Sequence, residues 1–555
     1  MSEKIIVSVC EGKIQGFKNV STFSGVEFFS FLGVPYGQST AGHARYKDPK
    51  PVKPWKNILM ATTEKGGCLQ FSLRKALIDG SEDCLYNNIH TPELPQKDDD
   101  PLRPVVVCLQ PGAYHTGSPD PSYFGSPDYV MHNDVVCVCV SFRLHILGFL
   151  NLDLPECSGN QGLKDIILSL QWIQRNICKF GGDPDNVTLL GSSSGAGLVN
   201  NLMISPKAKG LFHKGVIMGM YKYCPSLVVR SENATLAFEL AQNLGYNGPF
   251  DKKKLLSFYK KVNIRALLVT RPDRFFHRDE TAPLFPMFPF VTTVDSGENA
   301  VLPTSNKQEN LKSLTRIPLM VGFCEREAIF GFLRPYKKAS MKYFFKSIRQ
   351  NCWGWGAKLN DDQLKYIQNK IQSFYLKGNS IENAPLPIKC DIQSDIAASD
   401  LYPTLVDVVA ADLPSSVYVY KFEFQGNVPK MKDVFQFVFD EPLDGTYHGD
   451  DFTYWAKFSF PYDQIEDPLT PETEEMVKTF TKLVSTFAKT GDPNYEGITT
   501  QWKPTTVENP SYFSINNHLS MVEGKLNGNR TEFWEELRRE LENDNQTCAE
   551  GNNPQ

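Results

Sequence analysis

The residues of this chain whose types and spacing fit covalent chemistry are Gly191-Ser192-Ser193-Ser194-Gly195, a G-x-S-x-G pattern. Val187-Thr188-Leu189-Leu190 precedes them, and an apolar stretch of helical propensity, 198–203, follows. That order reads as strand, sharp turn and helix, the setting in which a serine at the tip of the turn becomes a nucleophile. So tight a turn strains its central residue, and its flanks must lack bulky side chains; Gly191 and Gly195 meet that requirement. Ser193 is then held at the N-terminus of the helix, where a developing negative charge is favoured. Ser192 and Ser194 fall on the wrong side of the turn for the attacking role.

A serine hydroxyl attacks only if a base takes its proton and a carboxylate orients that base and stabilises its charged form. Residues 317–321 read as a strand running into Gly322-Phe323-Cys324-Glu325-Arg326-Glu327, and both glutamates are candidates on chemistry alone. In the order serine, acid, histidine that the α/β-hydrolase resemblance set out below implies, His448 and His518 are the two of the nine histidines that lie beyond them. His518 ends Tyr512-Phe513-Ser514-Ile515-Asn516-Asn517, where the alternation suits an ordinary sheet residue. His448 lies in Gly445-Thr446-Tyr447-His448-Gly449-Asp450-Asp451, a turn after the aromatic-rich strand 417–424.

The elements that must position these groups are legible as periodicity. Residues 5–36 alternate apolar and polar between glycines, which predicts a small antiparallel sheet at the start. Residues 105–109 and 135–140 are continuous apolar runs, as expected of strands buried on both faces. Leu163, Ile166, Ile167, Leu170, Ile173 and Ile177 recur at helical spacing beside Trp172, and Phe180-Gly181-Gly182-Asp183-Pro184 stops that helix. Strand and helix alternating in this rhythm predict an α/β protein with a mostly parallel central sheet covered on both faces. Thr470-Pro471 starts a helix whose Met476, Phe480, Leu483, Val484 and Phe487 share one face, and a shorter helix surrounds Phe533, Trp534, Leu537 and Leu541. With no internal repeat or linker, residues 1–542 read as one domain and 543–555 as a disordered polar tail.

Several ordered motifs carry a resemblance. Asn160-Gln161-Gly162-Leu163-Lys164-Asp165, the Trp172 helix, Phe180 to Pro184, the serine elbow, Lys209-Gly210-Leu211-Phe212-His213 and Phe487-Ala488-Lys489-Thr490-Gly491-Asp492-Pro493-Asn494 are similar to the type-B carboxylesterase/cholinesterase family of the α/β-hydrolase fold. Residues 31–36 and 82–86 match as well, so the likeness spans roughly residues 5 to 535. His448-Gly449-Asp450-Asp451 resembles the form seen in insect esterases. The resemblance implies a triad of Ser193, Glu327 and His448, with Arg326 where an aspartate is usual. It also implies an oxyanion hole of backbone N–H groups from Gly112 and Ala113, completed from the start of the following helix by Ser194 or by Ala196 beside Gly195.

The same comparison marks departures. The family carries HGGG or YGGG after the strand ending at Leu109, whereas this chain has Gln110-Pro111-Gly112-Ala113. Pro111 has no N–H, but it falls on a position that is not a donor. Ala113 brings a Cβ where glycine is usual, which predicts strain in the turn. Ser192 replaces an acidic or amide residue. Cholinesterases hold a quaternary ammonium group on a tryptophan between the first cysteine pair; between Cys68 and Cys84 the only aromatic here is Phe71. That favours a neutral carboxylic ester, with Phe285, Met287, Phe288, Phe290 and Phe330 implied as an apolar pocket.

The expected function is therefore ester hydrolysis through an acyl-enzyme, which calls for no metal or cofactor. The alternative is an esterase-like protein with weak or no catalysis that binds hydrophobic ligands or partner proteins. The resemblance implies a small-molecule ester as partner; composition adds that 555 residues with net charge −5 give no reason to expect nucleic acid or an anionic membrane, and no apolar run is long enough to span a bilayer. Oligomeric state is left open. Thirteen cysteines, an odd number over a long chain, suggest mostly buried thiols; Cys68 and Cys84 bracket a loop that a disulfide would staple, while free thiols are the default in a reducing compartment. The N-terminal residues turn polar before a signal-peptide core forms, which predicts a cytoplasmic chain as written and a secreted one if its true N-terminus lies upstream.

Overall fold

The computed structural model describes residues 5–72, 77–120, 126–219, 233–269, 290–304, 316–327, 359–399, 416–430, 444–457 and 468–550. Its organising element is a 13-stranded sheet. Twelve strands form the main path: β1 (Ile5–Val9), β2 (Gly12–Val20), β3 (Glu27–Pro35), β4 (Tyr86–Thr91), β5 (Arg103–Leu109), β6 (Val136–Val140), β7 (Gly182–Ser192), β8 (Lys214–Met218), β9 (Leu319–Cys324), β10 (Val417–Phe422), β11 (Ser511–Ile515) and β12 (Ser520–Glu523). They lie in the order β1-β2-β3-β4-β6-β5-β7-β8-β9-β10-β11-β12, with the short strand Leu59–Met60 added beside β2. From β6 to β11 every neighbour is parallel. This is the α/β-hydrolase architecture.

The N-terminal strands are antiparallel, as their alternation predicts, but they do not make a sheet of their own. β3 pairs with β4 and β4 with β6, so they extend the central sheet as its mixed edge. The reason is burial: Phe31 and Val34 of β3 belong to the same core as Val136 and Val138 of β6.

Two cores lie on the two faces of the sheet, and the pleat divides the strand residues between them. Val105, Val107 and Leu109 point to one face; Val106 and Cys108 point to the other. The first core is covered by α1 (Gln161–Asn176), whose Leu163, Ile166, Ile167, Leu170, Trp172 and Ile173 are all buried in it, and by α2 (Ser194–Ile204). A short 3-10 turn and Gly181, at φ 78°, end the α1 segment. A third, separate cluster joins α3 (Asp361–Leu376), α4 (Leu386–Ser399) and α6 (Asn529–Glu550) through Ile367, Ile371, Ile392, Ile396, Trp534 and Leu537. The second face of the sheet is covered by α5 (Pro471–Thr490), capped by the Thr470 hydroxyl, which accepts the Thr473 N–H.

The tail expected from 543 is taken up by α6 as far as Glu550, because its polar residues contain no helix breaker before Gly551. Cys68 and Cys84 form a disulfide. Eight other described cysteines keep their thiols, and six of these are buried. Among the described residues, no helix is long and apolar enough to cross a membrane.

Candidate active site

The elbow at the end of β7 has the strain that its sequence predicts. Ser193 lies at φ 54° and ψ −123°, outside the regions that L-residues ordinarily occupy. The two glycines are there for lack of room. A Cβ on Gly191 would sit 2.3 Å from the carbonyl carbon of Gly195, and one on Gly195 would sit 2.0 Å from the Leu109 carbonyl oxygen of β5. The Ser193 N–H donates to the Met218 carbonyl at 2.9 Å, tying the tip of the turn to the end of β8.

Glu327 follows the end of β9, and His448 comes from the loop after β10. The Glu327 Oε2 lies 2.6 Å from His448 Nδ1, and its Oε1 accepts the Cys324 N–H at 2.6 Å. A carboxylate only accepts, so Nδ1 carries the proton and Nε2 is left with its lone pair. Both side chains are buried. Gly219 is the residue after Met218, and a Cβ there would lie 3.0 Å from Glu327 Oε2 and 3.1 Å from His448 Nδ1. The acid and base thus lie against the residue that follows β8, whose last residue, Met218, accepts the Ser193 N–H, and the three residues come from turns at the carboxyl ends of β7, β9 and β10.

Glu325, equal to Glu327 on chemistry alone, has another task. Its carboxylate accepts the Thr446 N–H at 3.0 Å, while its own N–H donates to Thr446 Oγ1 at 3.1 Å. Within the histidine loop Asp450 accepts the Tyr447 N–H at 2.9 Å, and Asp451 accepts the Tyr420 hydroxyl at 2.8 Å. Burial, reinforced by the charge of Glu327, pushes the Asp451 carboxyl up to about 6. His518 is exposed in the turn between β11 and β12.

The turn after β5 carries the groups expected to receive a negative oxygen. Gly112 lies at φ 136°, and a Cβ there would come within 1.8 Å of the Thr116 carbonyl oxygen. Ala113 and Tyr114 follow at φ 57° and 64°, so the strain expected at Ala113 is present and extends one residue further. Two supports hold the turn. The His145 N–H donates to the Tyr114 carbonyl at 2.7 Å, and the Gln70 amide brackets Gly117, accepting its N–H at 2.7 Å and donating to its carbonyl at 2.6 Å. Gln70 lies two residues from Cys68, inside the loop that the disulfide closes. Nothing in its local sequence singles it out. Ser194 directly follows Ser193 as the first residue of α2, whereas the Ala196 nitrogen lies beneath Gly191 against β7. The Ser192 hydroxyl is buried.

Of the implied pocket, Phe290 is buried, its ring centroid 5.5 Å from that of His145, an imidazole pushed by burial down to about 4. Phe285, Met287, Phe288 and Phe330 lie outside the described residues. Among the described residues one group has metal-ligand spacing, the Cys108, Cys137 and Cys139 thiols, whose sulfur atoms lie within 4.8 Å of one another in the second core.

Known proteins resemble this chain in sequence and in fold. Esterase E4 of Myzus persicae is 29% identical, covering 88% of this chain and 87% of its own length. Juvenile hormone esterase of Heliothis virescens is 32% identical over 59% of this chain and 58% of its own. The crystal structure of juvenile hormone esterase from Manduca sexta, with OTFP covalently attached, superposes with a TM-score of 0.80 at 24% identity, covering 98% of this chain and 100% of that one. The sequence profile of the carboxylesterase family matches residues 3–534. With that match running through every strand and the serine elbow, the chain belongs to the carboxylesterase family of carboxylic ester hydrolases.

Proposed function

We propose that Ser193, His448 and Glu327 act as nucleophile, base and orienting acid in two-step hydrolysis of a neutral carboxylic ester. The observation that carries this reading is the 2.6 Å contact between Glu327 and His448, pressed against the strand that also holds the strained Ser193 turn. His448 Nε2 takes the hydroxyl proton as Ser193 Oγ bonds to the ester carbonyl carbon, and the same proton goes to the departing alcohol. Water, deprotonated by His448, then attacks the acyl-enzyme, and the acid leaves as Ser193 recovers its proton. The N–H groups of Gly112, Ala113 and Ser194 stabilise the tetrahedral oxyanion. These steps need proton transfer and hydrogen-bond donors, not a metal or an organic cofactor.

A neutral substrate is favoured because Phe71, the lone aromatic between Cys68 and Cys84, is 38% exposed on the strand Gln70–Ser72 and offers little of a cage for a quaternary ammonium group. The strain at left-handed Ala113 is the observation that favours the weakly catalytic alternative: were it to turn that N–H away from the oxyanion, the lost donor would cost about 100- to 1000-fold in rate. The Cys68–Cys84 disulfide supports the secreted alternative over a cytoplasmic one, because such bonds persist in oxidising compartments.

Intact mass after exposure to an organophosphate tests the assignment. One adduct is expected on the wild type and none on Ser193→Ala; an unlabelled wild type, or equal labelling of both, overturns it. A series of p-nitrophenyl esters of graded acyl length then reads the pocket directly.

A further inference from the structure

The acid and base of the proposed triad come from loops 121 residues apart, and beside the Glu325–Thr446 pair a second side chain joins those loops, that of Arg326, the residue preceding the acid. Its N–H donates to the Thr446 carbonyl at 3.0 Å, and it pairs in parallel with Tyr447, the neighbour of His448. Its Nη1 donates to the Asp444 carbonyl at 2.7 Å, and its guanidinium carbon stands 5.9 Å from the centre of the Tyr447 ring. Gly445 is shaped around it: at φ 86°, a Cβ there would lie 2.5 Å from Arg326 Nη1. The histidine loop is wrapped on the guanidinium.

The other edge of the guanidinium is anchored in the helical cluster. Arg326 Nε donates to Asp391 Oδ1 on α4 at 2.8 Å. Asp391 Oδ2 faces Arg530 Nη1 of α6 at 3.1 Å, and Arg530 Nε faces Asp395 Oδ2 at 3.1 Å. Asp395 is fully buried and also accepts the Tyr375 hydroxyl at 2.9 Å and the Asn527 amide at 2.7 Å. The side chains of Arg326 and Asp391 are 18% and 17% exposed, so their pair is screened far less than one on open surface.

We propose that Arg326 is a positioning residue that sets the Glu327–His448 distance by clamping the acid loop to the histidine loop, with Asp391 and Arg530 fixing the clamp to α4 and α6. This rests on the proposed triad. The aspartate that the resemblance leads one to expect at this position could not serve here: it offers no donors to the Asp444 carbonyl, and it would set a like charge against Asp391. This chain has exchanged the charge at that position and built its complement on α4.

The experiment measures kcat and KM per active site, counted by organophosphate titration of Ser193 so that misfolded protein drops out, for Arg326→Ala, Arg326→Lys and Arg326→Asp. Misplacing a catalytic pair by about 1 Å costs on the order of 100-fold, so Arg326→Ala is expected to lower kcat roughly 10- to 100-fold, with KM within about twofold. Arg326→Lys should recover part of the loss. Arg326→Asp should fall below Arg326→Ala, because it sets a like charge against Asp391. Wild-type kcat in Arg326→Ala or Arg326→Asp, or a loss confined to KM, overturns the inference. If Arg326→Ala does not fold, Asp391→Asn takes its place: a several-fold loss of kcat is expected, and an unchanged kcat overturns the clamp. A wild type that takes no adduct at Ser193 removes the triad itself, an outcome distinct from a labelled wild type whose Arg326 variants turn over normally.

Discussion

Two glutamates with a single residue between them do different work because of what each can reach. Glu327 spends one oxygen on His448 and the other on the Cys324 N–H, while Glu325 closes a reciprocal pair with Thr446. Glu327→Gln should therefore lower kcat by roughly 10,000-fold, as loss of the orienting acid does elsewhere, and Glu325→Gln by far less; steady-state turnover separates the two. Ala113 gives a prediction of the opposite sign. An alanine at φ 57° costs about 1 kcal/mol relative to glycine, so Ala113→Gly should raise the melting temperature or leave it unchanged, and should not lower kcat. Gly195→Ala should abolish activity, since its Cβ would enter the Leu109 carbonyl. At this scale chemistry pointed to Ser193 and to a pair of glutamates. Only the family resemblance chose between them, because the choice depends on a partner 121 residues away.

Elements with strong periodicity could be read directly. The α1 and α5 stripes and the apolar runs of β5 and β6 pack as predicted, because one buried face is enough to dictate a period of 3.6 or 2. The N-terminal strands could be read as strands but not as part of the main sheet, since alternation names an element's faces and not its neighbours. The disulfide loop was the least legible. Its two cysteines suggested a staple, but nothing near Gln70 indicates that its amide braces the turn around Gly112, 42 residues on and across the fold. Cys68→Ser/Cys84→Ser, opening a 16-residue separation, should cost about 3 kcal/mol of stability and also lower kcat. Gln70→Ala, with the disulfide intact, should reproduce the kcat loss while shifting the melting temperature less; equal kcat in Gln70→Ala and wild type would separate the loop from the turn.

For the molecule as a whole, burial of ionisable groups sets how stability responds to acid. His90 of β4 is buried with its Nδ1 3.0 Å from the Ser30 hydroxyl, and loss of solvation pushes it down to about 4. The unfolded chain binds that proton near pH 6.5 and the folded one only near 4, so stability present above about 6.5 is lost as pH falls towards 4, to the extent of roughly 3 kcal/mol. Melting temperatures measured from pH 7 to 4 should fall across that window, and His90→Gln should flatten the decline. The division into two cores across one sheet was visible in advance from the doubly apolar strands; the third cluster of α3, α4 and α6 was not, because its helices meet from segments far apart in the chain.

With the turn around Gly112 as the proposed oxyanion hole, the brace that Gln70 supplies to it would tie turnover to thiol chemistry. A newly made chain with Cys68 and Cys84 still reduced would have its strands in register and its serine in place, yet would answer slowly to substrate. Oxidation would then act as a maturation step, and a molecule retained among reducing thiols would be assembled but idle.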